Sequence, residues 1–137
     1  NADVFWLNGP TMALERMVEQ WDDTKMDALL LLHSTVEAYG YNGNGDFEVD
    51  PIGKLSRRLE KEVTPYLFTG VQIIHPRIFT DTPDGKFSLN VIYDRAIDVD
   101  RLYGIAHDGE WFHIGTPGGL AEAESYMSQR YSGRRHR

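Results

Sequence analysis

The amino-acid sequence predicts an α/β fold, organised as a single unit around a mixed sheet. Short apolar runs of strand length alternate with segments of helical spacing, and no internal repeat or interdomain linker interrupts them. The run Ala28 to His33 is apolar up to its last residue, as in strands that are buried on both faces of a sheet. A second apolar run, Tyr66 to His75, stops at Pro76 and predicts another long strand.

Two hairpins are expected from turn chemistry. Phe47 to Asp50 alternates like a strand with one wet face, and the proline and glycine that follow form a turn into Lys54 to Arg58. Arg101 to His107 and Glu110 to Ile114 are strand-like runs joined by Asp108-Gly109, which is a strong signal for a two-residue hairpin.

Three helices complete the unit. The first is predicted from Pro10 to Trp21, the second begins at Ser88 as its cap, and the third follows Thr116 with Pro117 at the first helical position. The residues expected along one face are Leu14, Met17, Val18 and Trp21 in the first helix, Leu89, Ile92, Ala96 and Ile97 in the second, and Leu120, Ala123, Glu124 and Met127 in the third.

The charge balance is acidic. A formal net charge of -7 at pH 7 disfavours broad attraction to nucleic acid or to anionic lipid. The basic residues Arg134 to Arg137 follow Ser132 and Gly133. This composition predicts that residues 132–137 form a flexible tail. We therefore expect no nucleic acid and no membrane among the partners.

The chain contains no cysteine. Disulfide frameworks, thiolate zinc sites and cysteine nucleophiles are excluded together, which leaves metal binding to oxygen and imidazole ligands. The longest apolar run, Ala28 to Leu32, is far shorter than the ~20 residues of a membrane helix, and no charged-then-apolar leader opens the sequence. A cytoplasmic protein is the default expectation.

The first six residues form the first of four recognisable motifs. Asn1-Ala2-Asp3-Val4-Phe5-Trp6 resembles the Asn-Gly-Asp-(Val/Ile)-(Trp/Phe) segment of sugar-1-phosphate nucleotidyltransferases, which include muramic acid-1-phosphate uridylyl and mannose-1-phosphate guanylyl branches. The resemblance implies that Asp3 is catalytic and binds magnesium, and that Asn1 borders the substrate. Magnesium prefers hard oxygen ligands, usually one or two carboxylates with phosphate oxygens. An aspartate near a strand end can also simply begin a turn.

The second motif lies in the strand Tyr66 to His75. Phe68-Thr69-Gly70-Val71, followed by His75-Pro76, is similar to the family's Phe-(Ser/Thr)-Gly-(Ile/Val) strand and its His-Pro pair. The resemblance implies that Thr69 and Gly70 border the sugar. A glycine inside an apolar strand permits close approach of a ligand, and it equally marks a β-bulge, so both interpretations stay open.

The third and fourth motifs flank this strand in sequence. Gly45-Asp46-Phe47 resembles a turn whose backbone meets sugar hydroxyls in the family, although it also fits a plain loop-to-strand transition. Trp111 to Pro117 looks like the family's Trp-x-Asp-(Ile/Val)-Gly-Thr-Pro, with His113 in place of the second metal-binding aspartate. His113 is therefore a candidate metal ligand or phosphate donor, and a purely structural histidine is the alternative, because imidazole suits zinc, nickel or iron better than magnesium.

The four motifs follow the order of the family from Asn1 to about Tyr126. They imply the C-terminal part of a Rossmann-like nucleotide-diphospho-sugar transferase fold, with residues 1–131 as the sugar-phosphate and metal side and 132–137 as the tail. The implied substrates are a nucleoside triphosphate and a sugar-1-phosphate, and the implied cofactor is magnesium. The glycine-rich nucleotide loop of the family has no counterpart here, so we expect a missing N-terminal half, or a second copy, as partner.

The histidines of the sequence fit two alternative functions. A non-catalytic nucleotide- or sugar-binding regulatory domain of the same ancestry would explain the loss of the second carboxylate at His113. An unrelated hydrolase could use His75, His107 or His113 as a base, but the sequence has no serine elbow and no paired-carboxylate spacing.

Overall fold

The computed structural model of the chain describes residues 4–8, 12–36, 38, 45–57, 64–113 and 117–135. Within these residues the elements are β1 (Val4–Trp6), α1 (Ala13–Gln20), β2 (Ala28–Ser34), β3 (Phe47–Val49), β4 (Leu55–Arg57), β5 (Tyr66–Ile74), a 3₁₀ turn (Pro76–Phe79), α2 (Asn90–Asp98), β6 (Leu102–Ala106), β7 (Trp111–His113) and α3 (Pro117–Arg135). They form a five-stranded sheet in the order β4-β3-β5-β2-β6 and a two-stranded sheet of β1 and β7. Since β2 is parallel to β6 and antiparallel to β5, the main sheet is mixed, which confirms the predicted class.

Strand β2 is the centre of this sheet because it is buried on both faces. All residues from Ala28 to Leu32 are at most 1% exposed. Alternate residues, beginning with Ala28, share a hydrophobic cluster with α2, whereas Leu29 and Leu31 share one with α1. Each leucine removed from water in this way contributes about 1.5–3 kcal/mol, so the run predicted as a central strand is also the main source of stability.

Helix α1 buries only part of the predicted stripe, because Met17 and Trp21 pack into the core whereas Leu14 and Val18 do not. Ala13 and Met17 are buried, whereas Leu14 is 52% exposed and Val18 is 68% exposed. Ala13 and Met17 are four positions apart and lie on the same face of the helix, which packs on Leu29 and Leu31 of β2. The helix begins at Ala13, whose backbone N donates to Asn8 Oδ1 at 3.1 Å, and the predicted start at Pro10 falls outside the described residues.

The predicted hairpin between Phe47 and Arg58 is confirmed by the pairing of β3 with β4. Its tip is an Asx turn, in which Asp50 Oδ1 accepts hydrogen bonds from the backbone N of Ile52 and of Lys54. The tip reaches the opposite edge of the main sheet, where Gly104 N of β6 donates to Gly53 O at 2.9 Å. The hairpin therefore crosses to β6 rather than ending in solvent.

The second predicted hairpin, β6 with β7, is wrong. β6 pairs in parallel with β2, and β7 pairs with β1 instead of turning back on β6. The competing interaction is the hydrogen bond from His107 N to Leu32 O at 2.6 Å, which prolongs the β6–β2 alignment past the end of β6. The Asp108-Gly109 dipeptide then leads the chain away to the two-stranded sheet.

The last two helices follow the prediction in outline. α2 begins at Asn90, whose backbone N donates to Ser88 Oγ at 3.2 Å, and it buries Ile92 and Ala96. α3 continues through Arg135, so a helix extends into the range 132–137 that was expected to be a tail, while Thr116 falls outside the described residues. No helix in the described part of the chain has the length and apolar character needed to cross a membrane.

A half-buried carboxylate, that of Asp27, joins three segments at the start of β2. Asp27 Oδ1 accepts from Arg77 Nε at 2.5 Å and from Arg101 Nε at 2.7 Å. Burial alone would raise the pKa of Asp27, but the hydrogen bonds and charges of Arg101 and Arg77 outweigh it and hold the pKa below its ordinary value. Asp27 thus connects the start of β2 to the turn after β5 and to the start of β6.

We predict that Asp27→Asn lowers the free energy of unfolding at neutral pH by about 1–3 kcal/mol, the range for a hydrogen bond to a charged group. Because the folded-state pKa is depressed, this stabilisation is complete above the unfolded value of 3.8 and disappears as the pH falls through the folded-state pKa. Urea unfolding between neutral and acidic pH would measure it. Asp98→Asn at the exposed end of α2 is the control, and equal losses for both variants would contradict the prediction.

Gly45 precedes β3 in a turn that only glycine fits. Its φ is +83°, and a Cβ built there would lie 2.3 Å from Thr64 Oγ1 and 2.6 Å from Thr64 O. Thr64 is fully buried, so it has no space into which to retreat. Gly85 has a similar φ of +77° but faces open space, with no atom within 4 Å of such a Cβ.

We predict that Gly45→Ala lowers the free energy of unfolding by about 2–4 kcal/mol, through backbone strain and steric overlap together. Gly85→Ala introduces the strain alone and should cost only about 1 kcal/mol. Chemical denaturation of the two variants compares them directly. Losses of the same size in both would show that the contact with Thr64 carries no energetic weight.

Candidate functional site

The candidate site lies where the parallel strands β2 and β6 end, because open α/β sheets bind ligands at the carboxyl ends of such strands. Two connections converge there. Thr35 N, just after β2, donates to Pro65 O, just before β5, at 3.0 Å, and His107 N, just after β6, donates to Leu32 O. This end of the sheet therefore collects the segments that precede β5 and follow β6.

Gly45 and Asp46 lead into β3 beside the start of β5. Asp46 N donates to Tyr66 O at 2.8 Å, and Asp46 Oδ2 accepts from Phe68 N at 2.8 Å. These two bonds hold the Gly45 turn against β5. The substrate-binding role of Gly45 stays a prediction, but the structure places this turn at the expected end of the sheet. Sequence reasoning missed Asp46, whose only signal is a carboxylate between a glycine and a strand.

Thr69 is buried, with 1% of its surface exposed. Its hydroxyl donates to Leu31 O at 2.8 Å and accepts from Val71 N at 3.3 Å. Because the hydroxyl is committed on both sides within the protein, this geometry favours support of the β5 backbone over direct contact with a sugar. The substrate-binding role of Thr69 stays a prediction.

Gly70 lies in an irregular part of β5. Its φ is +94°, and the pairing with β2 shifts register between Leu30 and Leu32. The β-bulge that the sequence left open is therefore present, and glycine supplies the positive φ that it requires. Gly70 also lines a pocket of about 360 Å³ beside α2, together with Phe68, Gln72, Ser88, Leu89, Asn90 and Tyr93. A ligand could thus approach the backbone of Gly70, so the interpretation of this glycine as a point of close ligand approach stays open as well.

Tyr93 forms the α2 side of that pocket. Its hydroxyl donates to Gln72 Oε1 at 2.5 Å, and its ring meets Phe68 edge to face, with centroids 5.9 Å apart. Burial raises the pKa of Tyr93, and this effect exceeds the opposing effects of Gln72 and Arg57. The hydroxyl therefore stays protonated and serves as a fixed donor across the pocket wall.

The predicted metal side of the site is described only in part. Asn1 and Asp3 fall outside the described residues. The β1–β7 register pairs Val4 with His113, so residue 113 lies opposite the residue that follows Asp3 in the chain. Among the described residues, no three His, Asp or Glu side chains are grouped to hold a metal. The magnesium site, with Asp3 and His113 as ligands, stays a prediction.

The hydrolase interpretation loses two of its three histidines. His75 Nδ1 accepts from Arg77 N at 3.1 Å and so begins the 3₁₀ turn. His107 Nε2 contacts the carbonyl oxygens of Leu7 and Glu110 at 3.0 and 3.1 Å. The lone pair of His75 Nδ1 is committed to a backbone amide, and His107 is buried, so neither ring is poised as a base.

No protein-family model matches the chain. It is 33% identical over 129 residues to N-acetylmuramate alpha-1-phosphate uridylyltransferase of Caulobacter vibrioides. The aligned segment covers 94% of this chain and 53% of that protein. The chain therefore spans about half the length of the curated relative that it matches.

A solved structure shows the same fold. It is described as a glucose-1-phosphate thymidylyltransferase from Bacillus anthracis in complex with sucrose. The superposition covers 90% of this chain and 51% of that chain, with a TM-score of 0.61 and 19% sequence identity. The chain is thus similar in sequence, over nearly its whole length, to a sugar-1-phosphate nucleotidyltransferase, and it has the Rossmann-like nucleotide-sugar transferase fold, as its four motifs predict.

Proposed function

We propose that this chain forms the sugar-phosphate and metal side of a sugar-1-phosphate nucleotidyltransferase. The observation that carries the proposal is the 33% identity with a uridylyltransferase across 94% of the chain. The β5 bulge at Gly70 supports it, because Gly70 lines a pocket in which a sugar would meet backbone rather than a long side chain.

The proposed reaction is nucleotidyl transfer. A phosphate oxygen of the sugar-1-phosphate attacks the α-phosphorus of a nucleoside triphosphate, the new P–O bond forms, the bond to the bridging oxygen breaks, and pyrophosphate leaves. Such a reaction depends mostly on in-line positioning and on stabilising charge. In this chain Gly45 and Gly70 would bound the sugar, and Thr69 would keep the bulge in shape through its bond to Leu31 O.

Magnesium is the cofactor that the proposal requires, and the donor set fits it. The chain offers the Asp3 carboxylate, and magnesium is usually bound through one or two carboxylates together with substrate phosphates. When bound, the ion would neutralise charge that develops on the phosphates. His113 suits a hydrogen bond to phosphate better than a bond to magnesium, because imidazole is a softer ligand.

The nucleotide side would come from another part of the protein or from a second copy. The sequence contains no motif that resembles the glycine-rich phosphate loop of nucleotidyltransferases, and the Caulobacter relative is about twice as long as the matched segment. The name of that relative makes uridine triphosphate and N-acetylmuramate α-1-phosphate the first substrates to assay.

A second candidate function is a non-catalytic binding domain of the same ancestry. His113, at the place of the family's second carboxylate, is the observation that favours it. The two functions differ in one product: an enzyme releases pyrophosphate in a magnesium-dependent way, whereas a binding domain holds nucleotide or sugar without turnover.

We predict that Asp3→Ala in the complete enzyme lowers turnover by at least about a hundredfold, the scale of losing one main electrostatic stabiliser. Release of pyrophosphate at saturating magnesium is the measurement. Asp84→Ala, in an exposed loop, is the matched control and should keep normal turnover. Near-normal activity of the Asp3 variant would remove Asp3 from the site.

We also predict that the 137-residue chain alone neither binds a magnesium nucleotide tightly nor releases pyrophosphate, because tight binding needs phosphate-cradling backbone amides. Titration calorimetry with magnesium and uridine triphosphate would measure the affinity, and the Caulobacter relative provides a positive control. Micromolar affinity together with pyrophosphate release would show that the nucleotide site lies within this chain.

A further inference from the structure

One imidazole connects the two sheets at the candidate site. His107 follows β6, and its backbone N donates to Leu32 O of β2 at 2.6 Å. Its side-chain Nε2 lies 3.0 Å from Leu7 O, just after β1, and 3.1 Å from Glu110 O, just before β7. Backbone and side chain of this single residue therefore bond to both sheets.

The tautomer of His107 follows from its partners. Both contacts of Nε2 are carbonyl oxygens, which can only accept, so Nε2 carries the proton and shares it between them. Nδ1 is buried and has no hydrogen-bond partner among the described residues. The residue is 6% exposed, and its ring lies 5.7 Å from that of His33. Water therefore has little access to take over the bonds of Nε2.

Helix α3 also packs on the two-stranded sheet. Tyr126 donates its hydroxyl proton to Glu110 Oε1 at 2.5 Å, and its ring packs on the buried Phe112 of β7 with centroids 5.3 Å apart. Glu110 O also accepts from Leu7 N at 2.9 Å, which closes the pairing of β1 with β7. Helix α3 and His107 thus hold the two-stranded sheet through separate contacts.

We propose that His107 is a positioning residue: its Nε2–H fixes the β1–β7 pair against the carboxyl end of β2. It thereby positions β1, which begins at the residue after Asp3, and β7, which ends at His113. The effect of His107 on the position of β1 and β7 concerns the fold alone. Its effect on the turnover of the complete enzyme rests on the proposed function. His107 takes no part in the chemistry, because its donor is already shared between two backbone carbonyls.

The first test is hydrogen exchange on the chain, with His107→Leu to remove the donor and His107→Gln to place an amide N–H at a similar reach. In the leucine variant the Leu7 amide and the β1 and β7 amides should exchange at least about tenfold faster, while those of Leu29 to Leu31 stay unchanged. The glutamine variant should recover most of the protection. Uniform acceleration in both sheets, or none in β1 and β7, would overturn the proposal.

The second test needs no variant. Long-range proton–nitrogen correlation NMR of the native chain reports which imidazole nitrogen of His107 is protonated, and the proposal requires Nε2. Protonation at Nδ1 alone would overturn it, even if His107→Leu cannot be purified.

The catalytic consequence is measured in the complete enzyme. His107→Leu should lower kcat by at least about tenfold, with a smaller change in KM, since misplacement of the reacting groups affects the transition state most. His107→Gln should restore most of the rate. Faster exchange in β1 and β7 with an unchanged kcat would overturn the link to catalysis, whereas full activity of Asp3→Ala would instead contradict the proposed function.

Discussion

The burial of β2 on both faces is the constraint on which the other elements depend. A strand that is closed to solvent above and below needs a helix on each side, and α1 and α2 fill those places. Its two edges are paired with β5 and β6, so its backbone groups are satisfied as well. Asp27 then fixes where this strand begins, because the two guanidinium groups that it binds come from neighbouring segments.

Sequence patterns predicted the elements whose causes are local. The apolar run of β2, the β3–β4 turn and the glycine in β5 each carry their signal within a few residues. The prediction of a β6–β7 hairpin was wrong because a two-residue turn signal competes with partners far away in the chain. These partners are Leu32 for the end of β6 and Val4 for β7. The buried face of α1 was mistaken because Leu14 and Val18 are more apolar than Ala13, while the fit to β2 selects the smaller residue.

The candidate site shows the same division. Gly45 and Gly70 were singled out because their motifs resemble those of the family, and the structure gives both a positive φ, which favours glycine. Their substrate-binding role stays a prediction. Asp46 and the positioning role of His107 could not be found in this way, since an aspartate and a histidine beside strands are common and only the folded backbone gives them partners. The motif around Thr69 likewise gave no sign that its hydroxyl bonds to Leu31 O and Val71 N, because these partners are set by the folded backbone.

The contact between the β3–β4 tip and β6 has a consequence for how the sequence can vary. Because Gly53 O accepts from Gly104 N, the number of residues in the tip is tied to the distance between opposite edges of the sheet. An insertion there would move the tip off β6 and uncover backbone groups that would then be open to a foreign strand. Natural variants of this chain should therefore tolerate substitutions at the exposed Ile52 far better than any change in loop length.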